Sequence, residues 1–103
     1  MIQIMKSRGQ GKTTEAIIWC KLNNWTLVTM RPEFIEYLCY HVLGFKESIQ
    51  TMSYSTFKTY TMDYRGSNKK LKVMIDDVSC FLQYMTDSEI MGYTDSIDNN
   101  EKF

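Results

Sequence analysis

Short apolar segments alternate with segments of helical periodicity along the chain. The short, β-prone segments predict strands at residues 1–5, 25–30, 48–54, 71–77 and 89–93. Between them, apolar spacing and helix-end signals predict four helices, at residues 13–24, 32–43, 55–64 and 79–85. The second helix has a signal at each end, because Pro32 suits a first helical position and Gly44 suits a C-terminal cap.

This alternation of strands and helices predicts the fold class. It is typical of an α/β domain with a mainly parallel sheet, here of about five strands, and with helices on both faces. Such sheets bind ligands beyond the carboxyl ends of their strands, so functional residues are expected there. We expect one domain over residues 1–96 and a polar C-terminal tail over residues 97–103.

The loop after the first predicted strand is rich in glycine and reads KSRGQGKTT, residues 6–14. The phosphate-binding pattern G-x-x-x-x-G-K-[ST] is complete in its second half, at Gly11, Lys12 and Thr13, whereas Lys6 stands at the position of the first glycine. Glycines between a strand and a helix let main-chain N–H groups approach phosphate oxygens. A glycine turn followed by a solvated lysine is the alternative interpretation.

If the loop is a phosphate cradle, each polar residue after Gly11 has a role. Lys12 would reach the β- and γ-phosphates, and the Thr13 hydroxyl would bind Mg²⁺. Thr14 could donate to the α-phosphate. The start of the helix adds the partial positive charge of its N-terminus.

A second candidate motif is the acidic pair that ends the segment VMIDD, residues 73–77. Asp76 is placed to hold Mg²⁺ through water, and Asp77 follows where a general base could lie. This requires the strand before Asp76 to lie parallel to and beside strand 1–5, with Ile2, Ile4, Val73 and Ile75 buried. The alternative for either acid is to cap the following helix.

Together these motifs resemble the Walker A loop and Walker B strand of P-loop NTPases, in the division that contains helicases, RecA-like and AAA+ proteins. The resemblance covers roughly residues 1–96 and implies ATP and Mg²⁺ as cofactors, with Thr13 and Asp76 at the metal. It also implies Asp77 as the catalytic base and Thr94 as a γ-phosphate sensor. The nucleotide-binding residues that it implies are Arg8, Gly9, Gln10, Gly11, Lys12, Thr13 and Thr14.

One departure from the family pattern bears on catalysis. The second acid of this division is usually glutamate, and Asp77 is shorter by one methylene. The expected function is therefore a small ATP- and Mg²⁺-binding protein with weak ATPase activity. The compact chain resembles minimal ATPases encoded by phages and mobile elements, which suggests a role in their DNA metabolism. The alternative is a P-loop-fold binding module that does not hydrolyse nucleotide and docks on a host or phage protein.

Composition narrows the partners. Twelve basic and twelve acidic residues among 103 give a formal net charge of zero, so the basic excess expected of a nucleic-acid binder is missing. The three cysteines lie far apart and form no zinc motif, which favours reduced thiols in a cytoplasm, that of the host if the chain is phage-encoded. No apolar run approaches the roughly 18 residues of a membrane span. Nucleotide is the expected ligand, a homo-oligomer or a protein partner stays open, and nucleic acid stays an open partner that the charge does not support.

Overall fold

A computed structural model describes residues 3–4, 11–63, 71–89, 91–92 and 94. Helices and strands alternate in it, and all its strands are parallel. The elements in chain order are α1 (Lys12–Asn23), β1 (Thr26–Thr29), α2 (Pro32–Tyr37), a π-helical segment (Leu38–Val42), β2 (Thr51–Ser53), α3 (Tyr54–Asp63), β3 (Val73–Ile75) and α4 (Val78–Thr86). The predicted α/β class with a parallel sheet is therefore confirmed.

The sheet of the described residues has three strands rather than five, in the order β2-β1-β3. Leu27 of β1 is aligned with Thr51 on one side and with Met74 on the other. The first predicted strand lies mostly outside the described residues. At the predicted last strand, Glu89, Met91 and Gly92 are described and do not belong to a strand.

The hydrophobic core brings together side chains of α1, β1 and α2. Its fully buried members include Ile17 of α1, Leu27 of β1 and Ile35 of α2. Ile4 and Met74 pack against this core and are partly buried. The core thus connects the central strand β1 with the helix that precedes it in the chain, α1, and with the helix that follows it, α2.

The prediction that the strand before Asp76 is buried was wrong. Val73 and Ile75 are only half-buried, whereas all four residues of β1 are buried. The reason is position in the sheet, since β1 pairs on both edges and β3 pairs with β1 alone among the described strands. Ile4 is likewise half-buried, and Ile2 lies outside the described residues.

The helix predicted over residues 32–43 changes its hydrogen bonding halfway. It is α-helical from Pro32 to Tyr37 and π-helical from Leu38 to Val42. The Leu43 N–H then donates to the Leu38 carbonyl at 2.8 Å, and Gly44 takes a left-handed φ of 69° after the helix end. The predicted start at Pro32 and stop at Gly44 are confirmed, and the π-helical turn had no sequence signal.

No helix in the described ranges combines the length and the apolar character that a membrane crossing needs.

Replacing a buried leucine of the central strand by alanine should lower the free energy of unfolding far more than the same replacement of an exposed leucine of α1. Leu27 is fully buried, so we expect Leu27→Ala to lower the free energy of unfolding by about 2–5 kcal/mol through lost burial and a residual cavity. Leu22 is 76% exposed, and Leu22→Ala should change the same quantity by less than about 0.5 kcal/mol. Urea denaturation followed by circular dichroism measures both. Equal losses for the two variants would contradict the assignment of β1 as the centre of the core.

Candidate functional site

Polar side chains gather at the carboxyl edge of the sheet. Thr29 ends β1, Ser53 ends β2, and Asp76 directly follows β3. Because the strands are parallel, these three residues lie along one edge. Thr13, in the first turn of α1, reaches the same edge through its contact with Asp76.

The Asp76 carboxylate accepts hydrogen bonds from two of the other polar side chains at this edge. Its Oδ1 accepts a hydrogen bond from the Thr13 hydroxyl at 3.2 Å, and its Oδ2 accepts one from the Thr29 hydroxyl at 3.3 Å. Both contacts are long for O–H···O bonds, whose usual range is about 2.5–3.0 Å. The half-buried carboxylate therefore joins α1, β1 and the end of β3.

The main chain fixes where this carboxylate emerges. The Asp76 N–H donates to the Val28 carbonyl at 2.9 Å, which continues the pairing of β3 with β1 by one residue. Asp76 is thus tied to the central strand through its main chain and through its side chain. Its position depends on the sheet rather than on a free loop.

Tyr54, which follows β2 on the other side of β1, contacts the turn formed by Asp76 and Asp77 after β3. It is 3% exposed, and its hydroxyl donates to the main-chain carbonyls of Asp76 and Asp77. Its ring meets Phe81 of α4 edge to face, with 5.4 Å between the ring centroids. Burial, with a smaller contribution from the charges of Asp77 and Asp76, raises the pKa of Tyr54, so its hydroxyl stays a donor at neutral pH.

Asp77 is an exposed helix cap in this structure. It has left-handed main-chain angles, φ 60° and ψ 77°, and its carboxylate accepts a hydrogen bond from the Cys80 N–H at 3.3 Å. Aspartate is among the residues best suited to both tasks. The capping interpretation weighed from the sequence therefore has a geometric basis, and the role of Asp77 as a base stays a prediction.

The described part of the phosphate-loop motif begins at Gly11. Gly11 has a left-handed φ of 80° and precedes α1, and its carbonyl accepts the first helical hydrogen bond from the Glu15 N–H at 3.0 Å. Lys12 follows as an exposed side chain in the first turn, and Thr14 is half-buried. The conformation of Gly11 is one that residues with a Cβ rarely adopt, which explains a glycine at this helix start.

The remaining predicted site residues have no described contacts with this cluster. Arg8, Gly9 and Gln10 lie outside the described residues. Thr94 is described and exposed, but its chain neighbours are not described, so its role as a sensor stays a prediction.

The electrostatics of Asp76 are dominated by desolvation. Burial raises the pKa of the Asp76 carboxyl above its ordinary value, and the nearby Asp77 charge adds to this. The hydroxyls of Thr13 and Thr29, together with the Lys12 ammonium, act in the opposite direction and lower the pKa in part. The protein thus keeps a carboxylate whose negative charge it neutralises incompletely, and a cation would stabilise that charge.

The donor set suits a hard cation that brings further ligands of its own. Mg²⁺ binds hydroxyl and carboxylate oxygens, keeps several waters, and commonly uses one or two protein groups beside phosphate oxygens. Thr13 and Asp76 offer these oxygens at one point. The described residues contain no group of three or more His, Cys, Asp or Glu side chains that would hold a metal without such a ligand.

Two residues of the cluster were missed at the sequence level. Thr29 had a usable signal, because it is a hydroxyl residue at the carboxyl end of a predicted parallel strand. Tyr54 had none, because an aromatic residue at the end of an apolar segment is ordinarily read as core.

Comparisons of the chain with protein-family models, with curated proteins and with solved structures found no match.

The buried carboxylate makes stability depend on pH in a defined direction. Since the folded pKa of Asp76 lies above the unfolded value of about 3.9, the protonated form stabilises the folded chain, and that contribution is lost as pH rises through the folded pKa. We therefore expect wild type to lose free energy of unfolding relative to Asp76→Asn between about pH 4 and neutrality in EDTA.

Urea denaturation at a series of pH values measures this difference. Asp87→Asn is the matched control, because Asp87 is an exposed acid with a left-handed φ of 52° at the other end of α4. Both variants replace an aspartate by asparagine, so the pH-dependent loss that exceeds the change seen for Asp87→Asn is the part assigned to the half-buried position of Asp76. A wild type that gains stability relative to Asp76→Asn as pH rises would contradict the desolvation account.

Proposed function

We propose that this chain is a small ATP- and Mg²⁺-binding protein of the P-loop NTPase type, with weak ATPase activity. The observation that carries the proposal is the 3.2 Å contact between the Thr13 hydroxyl and the Asp76 carboxylate. These residues are 63 positions apart and belong to the two motifs that must meet if they share a magnesium ion. A glycine turn with a solvated lysine gives no reason for this meeting.

The start of α1 supports phosphate binding next to that contact. Gly11 gives the turn its left-handed conformation, and the helix of 12 residues after it supplies free main-chain N–H groups at its first turn. These groups and the helix dipole attract an anion, and the exposed Lys12 side chain adds a full positive charge. A triphosphate placed there would lie beside Thr13 and Asp76.

Mg²⁺ fits the oxygen donors of this edge and would neutralise phosphate charge when bound. Thr13 would offer its hydroxyl oxygen while its proton still points to Asp76. The Asp76 carboxylate has about four lone-pair directions, and two of them are taken by the hydroxyls of Thr13 and Thr29. The remaining directions can accept hydrogen bonds from water in the coordination sphere.

Hydrolysis should be slow because the candidate base is engaged elsewhere. The Asp77 carboxylate accepts from the Cys80 N–H, and a general base must instead lie within hydrogen-bond reach of the attacking water. Asp77 is also one methylene shorter than the usual glutamate. We expect turnover well below about 1 s⁻¹, against about 10 s⁻¹ for a typical enzyme.

The same capping contact favours the second candidate function, a P-loop-fold binding module that does not hydrolyse nucleotide, binds it weakly or not at all, and docks on a host or phage protein. In support, α4 exposes Val78 and Tyr84 to solvent at 44% and 45%. Weak or absent ATP binding, with no measurable turnover, would select this candidate. In either case the setting, phage or mobile-element DNA metabolism, follows from the sequence resemblance.

Lys12 should be the main electrostatic ligand of the phosphates. A charge-assisted hydrogen bond contributes about 1.5–3 kcal/mol, so Lys12→Ala should weaken ATP binding by about tenfold or more. Isothermal titration calorimetry with Mg²⁺ and a non-hydrolysable ATP analogue measures this. Lys21→Ala is the control, because Lys21 lies in the last turn of the same helix and should leave the affinity unchanged. Equal affinity for wild type and Lys12→Ala would rule out the phosphate cradle.

Asp77→Asn distinguishes the proposed catalytic role of Asp77 from its role as the cap of α4. Asparagine caps helices as well as aspartate and also tolerates a left-handed φ, so stability and ATP affinity should stay close to wild type. If Asp77 is the base, the residual turnover should fall by at least about tenfold, because the amide cannot accept a proton. Single-turnover release of labelled phosphate measures this, with Asp87→Asn as the control. Unchanged turnover would leave Asp77 with the capping role alone.

A further inference from the structure

Thr29 is a buried hydroxyl with a defined hydrogen-bond direction. It is 2% exposed at the end of β1. Its Oγ1 accepts a hydrogen bond from the Arg31 N–H at 3.3 Å and lies 3.3 Å from the Asp76 Oδ2. An ionised carboxylate can only accept, so the hydroxyl proton points from Thr29 to Asp76. The main chain after β1 thus orients Thr29, and Thr29 in turn orients the carboxylate.

The two hydroxyls on Asp76 act on different oxygens and come from different elements. Thr13 is carried by α1 and contacts Oδ1, whereas Thr29 is carried by the central strand and contacts Oδ2. One contact alone would leave the Asp76 side chain able to change χ1 and χ2 around that contact. Two contacts on separate oxygens, made by residues of two different elements, restrict both torsion angles. If Thr13 shifts toward a bound cation, Thr29 is the contact that keeps the carboxylate in place.

We infer that Thr29 is a positioning residue for the cation site: it holds the Asp76 carboxylate in the one orientation from which that carboxylate and Thr13 serve the same magnesium ion. The inference rests on the proposed function for its metal, and adds a residue that neither motif contains. Groups that orient a metal-site residue in this way typically contribute about 10–100-fold to metal affinity. Thr29 does not itself touch nucleotide or metal in this role.

The test compares Thr29→Val, Thr29→Ser and a matched control. Valine keeps the branched shape that packs in the strand and removes only the hydroxyl. Serine restores the hydroxyl. Thr26→Val is the control, because Thr26 is a buried threonine at the opposite end of β1, about 10 Å along the strand.

The first readout is a titration with Mg²⁺. It measures the Mg²⁺ concentration at which the magnesium-dependent increase in binding of the ATP analogue reaches half of its maximum. We expect Thr29→Val to raise it by about tenfold. The affinity for the analogue in EDTA should stay unchanged, and Thr29→Ser and Thr26→Val should resemble wild type. An unchanged half-saturation in Thr29→Val, or an equal rise in Thr26→Val, would overturn the inference.

The second readout needs no nucleotide. Three-bond NMR couplings between the α and β protons of Asp76 report its χ1 rotamer. One rotamer in wild type and averaged couplings in Thr29→Val are expected, with recovery in Thr29→Ser. Averaged couplings already present in wild type would overturn the orienting role itself. If wild type shows one rotamer but binds no ATP analogue, the proposed function fails, and with it the metal part of the inference.

Discussion

The half-burial of the Asp76 carboxylate, held between two threonine hydroxyls, is the interaction on which the site depends. Removing a carboxylate from water is unfavourable unless hydrogen bonds or opposite charges replace the lost solvation. Here the replacement is partial, because the hydroxyls lower the pKa of Asp76 but burial raises it by more. The folded chain therefore keeps an incompletely neutralised negative charge beside a helix N-terminus. That is a disadvantage for the protein alone and an advantage for one that binds a cation together with an anion.

The rest of the fold serves to hold this carboxylate in place. β1 is the central strand: it binds the main chain of Asp76 through the Val28 carbonyl, and it carries Thr29 at its end. Tyr54, immediately after β2, fixes the turn from its carbonyl side. Asp77 completes the turn in a left-handed conformation and starts α4. The geometry that places Asp76 at the sheet edge thus also directs the Asp77 carboxylate to the start of α4. Under the proposed function, this one structural cause would account for both cation binding and slow hydrolysis.

The α/β class with a parallel sheet and the meeting of Thr13 with Asp76 could be predicted from the sequence, because each rests on local chemistry or on motif order. Pro32 and Gly44 mark helix ends by their own conformational limits, and the two motifs required Thr13 and Asp76 to converge. The features that were predicted wrongly or missed depend on the positions of the elements in the folded chain. The apolar segment before Asp76 was expected to be buried, yet its burial depends on how many strands flank it. The contacts of Thr29 and Tyr54 depend on strand order, which periodicity does not encode.

The central claim is that Thr13 and Asp76 share a magnesium ion with bound nucleotide. The most direct measurement is calorimetric titration of wild type and Asp76→Asn with a non-hydrolysable ATP analogue, in Mg²⁺ and in EDTA. Wild type should bind at least about tenfold more tightly in Mg²⁺, a gain of about 1.4 kcal/mol, and Asp76→Asn should lose most of that gain while keeping its affinity in EDTA. The same affinity for wild type with and without Mg²⁺, or an undiminished gain in Asp76→Asn, would contradict the claim.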